Sequence, residues 1–183
     1  MKKIGFIGTG LMGFPMAKNI LKSGYKLKAF NRSSSKAKAL EEFGAEITKT
    51  LKELVKGSDV IITMLTDDEA IDQVMGSLNF LDNLKPGSIV IDMSSINPIT
   101  AKKHAKSLKL KGINNLDAPV SGGTIGAEEA TLAIMIGGDQ NVFNEVKDLL
   151  KTMGNPTLVG PVGSGQVSKL SLIHISEPTR LLS

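Results

Sequence analysis

The sequence predicts an α/β fold built on a doubly wound, mainly parallel sheet, and three observations carry that reading. From Lys3 onward, short β-rich runs alternate with stretches of helical period, the pattern of a parallel sheet covered by helices. Several runs are apolar almost throughout, as strands buried on both faces must be. The intervening stretches have recognisable helix ends. At 183 residues with 41% hydrophobic side chains, the chain is long enough for one full-sized core, so one compact domain is expected.

Strands are expected at residues 3–7, 26–30, 60–64, 89–92, 114–118 and 132–136. A glycine-punctuated turn follows the first strand and opens a helix. Gly44 closes the helix that begins near Ser34, because glycine accepts the left-handed conformation at a helix end. Thr66 and Glu69 form a capping box for the next helix, and Asn97-Pro98 pairs a cap with a first-turn proline. Val142, Val146, Leu149, Leu150 and Met153 share one face of the last helix, a spacing suited to packing on a sheet. There is no internal repeat and no low-complexity segment.

Composition excludes several functions. The 22% of charged residues and mean hydropathy of +0.05 fit a soluble globular protein, and no apolar run approaches the roughly 20 residues that cross a bilayer. Met1-Lys2-Lys3 is basic, but Gly8, Gly10 and Gly13 interrupt the apolar stretch behind it, so it does not read as a signal peptide and a cytoplasmic protein is expected. Cysteine is absent, which removes disulfides, thiolate metal sites and cysteine nucleophiles. The net charge of +4 suits anionic ligands, but the basic residues are scattered, so neither nucleic acid nor membrane is an expected partner. His104 lies among Lys102, Lys103 and Lys106 on an expected surface helix, which argues against catalysis. No His, Asp or Glu cluster has metal-ligand spacing, and no metal is expected.

The first chemical signal is Gly8-Thr9-Gly10-Leu11-Met12-Gly13, directly after a strand and at the start of a helix. Gly8 permits the tight turn, Gly10 lets the backbone approach a pyrophosphate, and Gly13 lets helix and strand pack closely. Free amides at the helix start, at the positive end of its dipole, then hold phosphates. The second signal is Asn31-Arg32-Ser33 at the end of the second strand, where an NAD enzyme usually carries an acid for the adenosine ribose. Asparagine removes the charge that would repel a 2′-phosphate, and Arg32 can pair with that phosphate. NADP is favoured, with NAD possible; the alternative is an ordinary turn bearing a solvated arginine.

Residues 1–169 resemble the β-hydroxyacid dehydrogenase family, which includes 3-hydroxyisobutyrate dehydrogenase and tartronate semialdehyde reductase. The resemblance rests on Gly8-Thr-Gly-Leu-Met-Gly-Phe-Pro-Met-Ala17, Asp92-Met-Ser-Ser95, Asp117-Ala-Pro-Val-Ser-Gly-Gly123 and Gly163-Ser-Gly-Gln-Val-Ser-Lys169. Thr9 departs from the family's usual leucine. The resemblance implies a Rossmann-type NAD(P)-binding domain, with Met64, Leu65 and Ser95 beside the nicotinamide end of the cofactor. Ser95 also reads as part of a helix-capping loop. Ser121, Gly122 and Gly123 would bind the substrate carboxylate, where a flexible turn is the alternative, and Lys169 would be the catalytic general acid.

The family continues beyond the lysine on a long helix with an asparagine four residues later, where this chain has Ile173; its carboxy-terminal all-α domain is not represented. The expectation is therefore an NADP-dependent oxidoreductase for a small β-hydroxyacid and its semialdehyde, here as a cofactor-binding fragment with little activity and without the family's homo-oligomer. A non-catalytic NADP-binding module and a 6-phosphogluconate dehydrogenase-like enzyme are the alternatives. Residues 170–183, which include His174, resemble the conceptual translation of a transposase-type sequencing adapter. They are expected to be a non-native tail outside the fold.

Overall fold

The computed structural model describes residues 1–176, with side chains through 173. Along the chain the elements are β1 (Ile4–Ile7), α1 (Gly13–Lys22), β2 (Leu27–Phe30), α2 (Ser34–Lys38), a 3-10 helix (Ala39–Phe43), β3 (Glu46–Ile47), α3 (Leu51–Val55), β4 (Val60–Thr63), α4 (Asp68–Met75) and α5 (Leu78–Leu81). They continue as β5 (Ile89–Asp92), α6 (Pro98–Leu110), β6 (Asn114–Asp117), β7 (Val120–Ser121), α7 (Gly123–Glu129), β8 (Leu132–Gly137), α8 (Gln140–Lys151), β9 (Gly154–Gly160) and α9 (Ser164–Ser176).

These strands form one sheet in the order β3-β2-β1-β4-β5-β6-β8-β7, with β9 added on β8. The β3-to-β6 half is wholly parallel, β8 runs antiparallel to β6 and β7, and β9 runs parallel to β8. Chain order reverses at β1, between β2 and β4, where an open parallel sheet leaves a crevice at its carboxyl edge. The fold is the doubly wound one expected.

Alternation along the strands supplies two cores. Ile4, Phe6, Val60, Ile62, Ile89 and Ile91 pack with Met16 and Ile20 of α1 and with Val146, Leu149 and Leu150 of α8. On the opposite face Ile7, Ile61 and Val90 pack with Leu54 of α3, Ile71 of α4, Phe80 of α5 and Leu108 of α6. Both faces are therefore apolar, which explains the continuous hydrophobic runs in the sequence.

Several local expectations need correction. The α4 cap is Asp67, whose carboxylate accepts from the Ala70 amide at 2.9 Å; the expected Thr66–Glu69 box is shifted by one residue because aspartate caps as well as threonine. The helix closed by Gly44, at φ 93°, is α-helical only to Lys38 and finishes as 3-10. His104 is not on the surface: it is 5% exposed, and its Nε2 lies 2.6 Å from Asp72 Oδ1, which joins α6 to α4. The helix begun at Ser164 runs on to Ser176, whatever the origin of the residues from 170 onward. Once its first turn is anchored, extending a helix needs only tolerant residues. The rest of the expected tail, residues 177–183, lies outside the described residues.

Candidate functional site

The carboxyl edge of the sheet at its switch point holds the glycine turn. Gly8 has φ 96°, and a side chain there would run into the Met64 carbonyl oxygen; one at Gly13 would meet the Gly8 carbonyl oxygen. Gly10 differs, because a Cβ added there meets nothing within 4 Å. Its bareness leaves open space for a ligand rather than relieving an internal clash. The backbone amides of Gly10, Leu11 and Met12 have no partner among the described residues, and Leu11 is 84% exposed. Met12 packs against the core behind the turn.

Asn31 ties this turn to the end of β2. Its Oδ1 accepts from the Thr9 amide at 3.0 Å and its Nδ2 donates to the Ser33 carbonyl at 2.9 Å. An aspartate could keep the first bond but not the second, so the carboxamide has a structural use besides its neutrality. A cavity of 430 Å³ opens beside it, lined by Gly8, Gly10, Asn31, Arg32, Ser33, Met64 and Leu65 together with Lys36 and residues of α4. Arg32 is exposed and makes no ion pair or hydrogen bond among the described residues. A second cavity, 660 Å³, shares Gly10 and Lys36 and adds Thr9 and Leu11 of the turn and Lys18 of α1. Free amides, an unpaired guanidinium and an apolar wall fit an anionic adenosine-containing dinucleotide.

Ser95, Ser121, Gly122, Gly123 and Lys169 lie outside both cavities. Ser95 is exposed after β5; Ser121 ends β7, and Gly122 and Gly123 open α7 with φ of 139° and 62°. Lys169 is half-buried on α9, which packs against β6, β8, β9 and α6.

A buried polar network, not expected from the sequence, holds these pieces. Asp92 and Asp117 are register partners at the ends of β5 and β6. Asp92 Oδ1 accepts from the Thr63 hydroxyl at 2.9 Å and the Ser94 amide at 3.0 Å. Burial pushes its carboxyl up to about 6, against a hydrogen bond from the Ser94 hydroxyl and the two just named, with the charge of Asp117 adding to the rise. Burial also raises Asp117, whose carboxylate accepts from the Gly163 amide at 2.7 Å and the Gln166 amide at 3.0 Å, capping the start of α9. The Ser94 hydroxyl accepts from the Leu65 amide at 2.8 Å, so that amide is already engaged. Elsewhere the His104 hydrogen bond, then that of Lys103, holds Asp72 below its ordinary value. Among the described residues no cluster could hold a metal ion, and no helix is long and apolar enough to cross a membrane.

Residues 3–163 match the family described as the NAD binding domain of 6-phosphogluconate dehydrogenase. The chain is 42% identical over 171 residues to 2-hydroxy-3-oxopropionate reductase of Escherichia coli, covering 92% of this chain and 58% of the relative. It is 40% identical over 172 residues to the NAD-dependent L-serine dehydrogenase of Pseudomonas aeruginosa, covering 93% of this chain and 58% of that protein. Among solved structures, a Mycobacterium tuberculosis 3-hydroxyisobutyrate dehydrogenase with L-serine superposes with a TM-score of 0.90 at 32% identity, covering 94% of this chain and 59% of that one. The chain thus spans somewhat under three fifths of the length of these relatives.

Proposed function

The chain belongs to the β-hydroxyacid dehydrogenase family through its NAD-binding domain, and on that premise we propose that it holds NADP(H) for the interconversion of a small β-hydroxyacid and its semialdehyde in the cytoplasm. The observation that carries the proposal is the turn at Gly8 to Met12, where the unpartnered amides of Gly10, Leu11 and Met12 adjoin a cavity lined by the free guanidinium of Arg32. The amides receive the pyrophosphate, and Arg32 and Lys36 take the 2′-phosphate. The preference for NADP rests on Asn31 and Arg32; the Pseudomonas relative is NAD-dependent by name, while a solved structural neighbour is complexed with NADP+.

A nicotinamide held there would supply or accept the hydride. Ser121 and the amides around Gly122 and Gly123 hold the substrate carboxylate, and Ser95 and the Met64-Leu65 segment border the nicotinamide end. Lys169 donates a proton to the carbonyl oxygen in reduction and withdraws it from the hydroxyl in oxidation. Hydride transfer also depends on excluding water, so the 183-residue chain alone is expected to bind cofactor and turn over slowly. Residues 170–183 are proposed to be non-native, which resequencing of the source DNA across the Lys169 codon tests.

The test of the chemistry is Lys169→Ala in a protein completed to the length of its relatives. Turnover of a β-hydroxyacid should fall by about a thousandfold, in the range of a lost general acid, while NADPH affinity stays within about twofold. Unchanged turnover would remove the role given to Lys169.

A further inference from the structure

Gln166 is 1% exposed and has every polar side-chain atom engaged. Its Nε2 donates to the Ser94 carbonyl at 2.7 Å, and its Oε1 accepts from the Ile96 amide at 3.1 Å. Its side chain therefore pairs with the carbonyl before Ser95 and the amide after it, as the peptide group of a neighbouring strand would. Ser95 itself is left exposed at the centre of that clasp. The backbone amide of Gln166 meanwhile donates to Asp117, and the Ser94 hydroxyl holds the Leu65 amide. Leu65, the 94–96 loop, the end of β6 and the start of α9 are thus one hydrogen-bonded unit. Lys169 stands three residues further along the same helix.

We infer that Gln166 is a positioning residue: its carboxamide fixes Ser95 and the nicotinamide end of the site relative to Lys169, without touching cofactor or substrate. The inference rests on the cofactor reading above. Only a group that donates at one end and accepts at the other satisfies both backbone partners, so an ionised glutamate of the same shape would set an acceptor against the Ser94 carbonyl. A protonated glutamate can donate there again.

The experiment compares Gln166→Glu and Gln166→Met with the wild-type 183-residue chain, by calorimetric titration with NADPH and with adenosine 2′,5′-bisphosphate, which carries only the adenosine half. Gln166→Glu should weaken NADPH about tenfold, the scale of a lost pair of buried hydrogen bonds, and leave the bisphosphate within about twofold. Near pH 5 the buried glutamate regains its proton, and its NADPH affinity should return to that of wild type measured at the same pH. Gln166→Met, which cannot regain the bonds, should stay weakened at both pH values and carries the comparison if the glutamate variant fails to fold at neutral pH. Equal loss of both ligands, no loss of either, or an absent acid rescue in a folded glutamate variant would overturn the inference. Wild type that binds neither ligand would instead overturn the cofactor reading and this role with it.

Discussion

Replacing Asp92 with asparagine removes a carboxyl that folding carries into a site where ionisation is costly. The residue is 4% exposed; the Thr63 hydroxyl and the Ser94 amide both donate to Oδ1, and the Ser94 hydroxyl also donates to the carboxylate. An asparagine carbonyl retains the two bonds to Oδ1, and the Ser94 hydroxyl can turn to accept from the new amide. The ordinary value of 3.8 is raised to about 6, so the folded state binds the proton more tightly than the unfolded chain does. Stability is therefore fully present below the unfolded value and falls as pH rises toward the folded one. A displacement of that size corresponds to about 3 kcal/mol between the two protonation states.

Asp92→Asn should accordingly be more stable than wild type near pH 8, by up to about 3 kcal/mol, and the advantage should vanish near pH 4. Asp117, raised for the same reason, remains in the variant and leaves it a residual slope of the same sign. Urea unfolding at a series of pH values measures the difference directly. Parallel pH profiles for the two proteins, or a variant less stable than wild type near pH 8, would refute the assignment of strain to Asp92.

Other substitutions check neighbouring parts of the account. Gly13→Ala places a methyl group against the Gly8 carbonyl oxygen and should cost about 1–3 kcal/mol in thermal unfolding, with NADPH binding weakened because the turn moves. Arg32→Gln should weaken NADPH by about tenfold or more and leave NADH nearly unchanged, read by fluorescence titration. His104→Leu exchanges a buried ring whose Nδ1 has no partner for an apolar side chain. It should change stability by less than about 1.5 kcal/mol and leave NADPH affinity within about twofold, whereas loss of binding would give the His104–Asp72 pair a role in the site.

Most of the parallel half of the fold was legible because its strands are buried on both faces, and Ile4–Ile7, Val60–Thr63 and Ile89–Asp92 announce themselves as apolar runs. The edge escaped notice for the opposite reason: β3 and β7 are two residues each, and β9 alternates half-buried with exposed positions around Pro156. The glycine turn was legible because each glycine answers to a different backbone demand. The network of Asp92, Ser94, Asp117 and Gln166 was not, since apart from the local Asp92–Ser94 bond its partners are up to 72 residues apart. Asp92, Asp117 and Gln166 did lie within the sequence blocks that identified the family, and polar residues at the ends of apolar strands were the available signal. His104 misled because the lysines beside it describe one face of α6 while the histidine lies on another.

The central claim is that the Gly8–Met12 turn and Arg32 together form an NADP site, and calorimetric titration of the 183-residue chain with NADPH and with NADH tests it most directly. Both should bind saturably, with NADPH tighter by about tenfold or more, as a charge-assisted contact to the 2′-phosphate requires. Equal affinities would contradict the role of Arg32, and binding of neither would contradict the site itself.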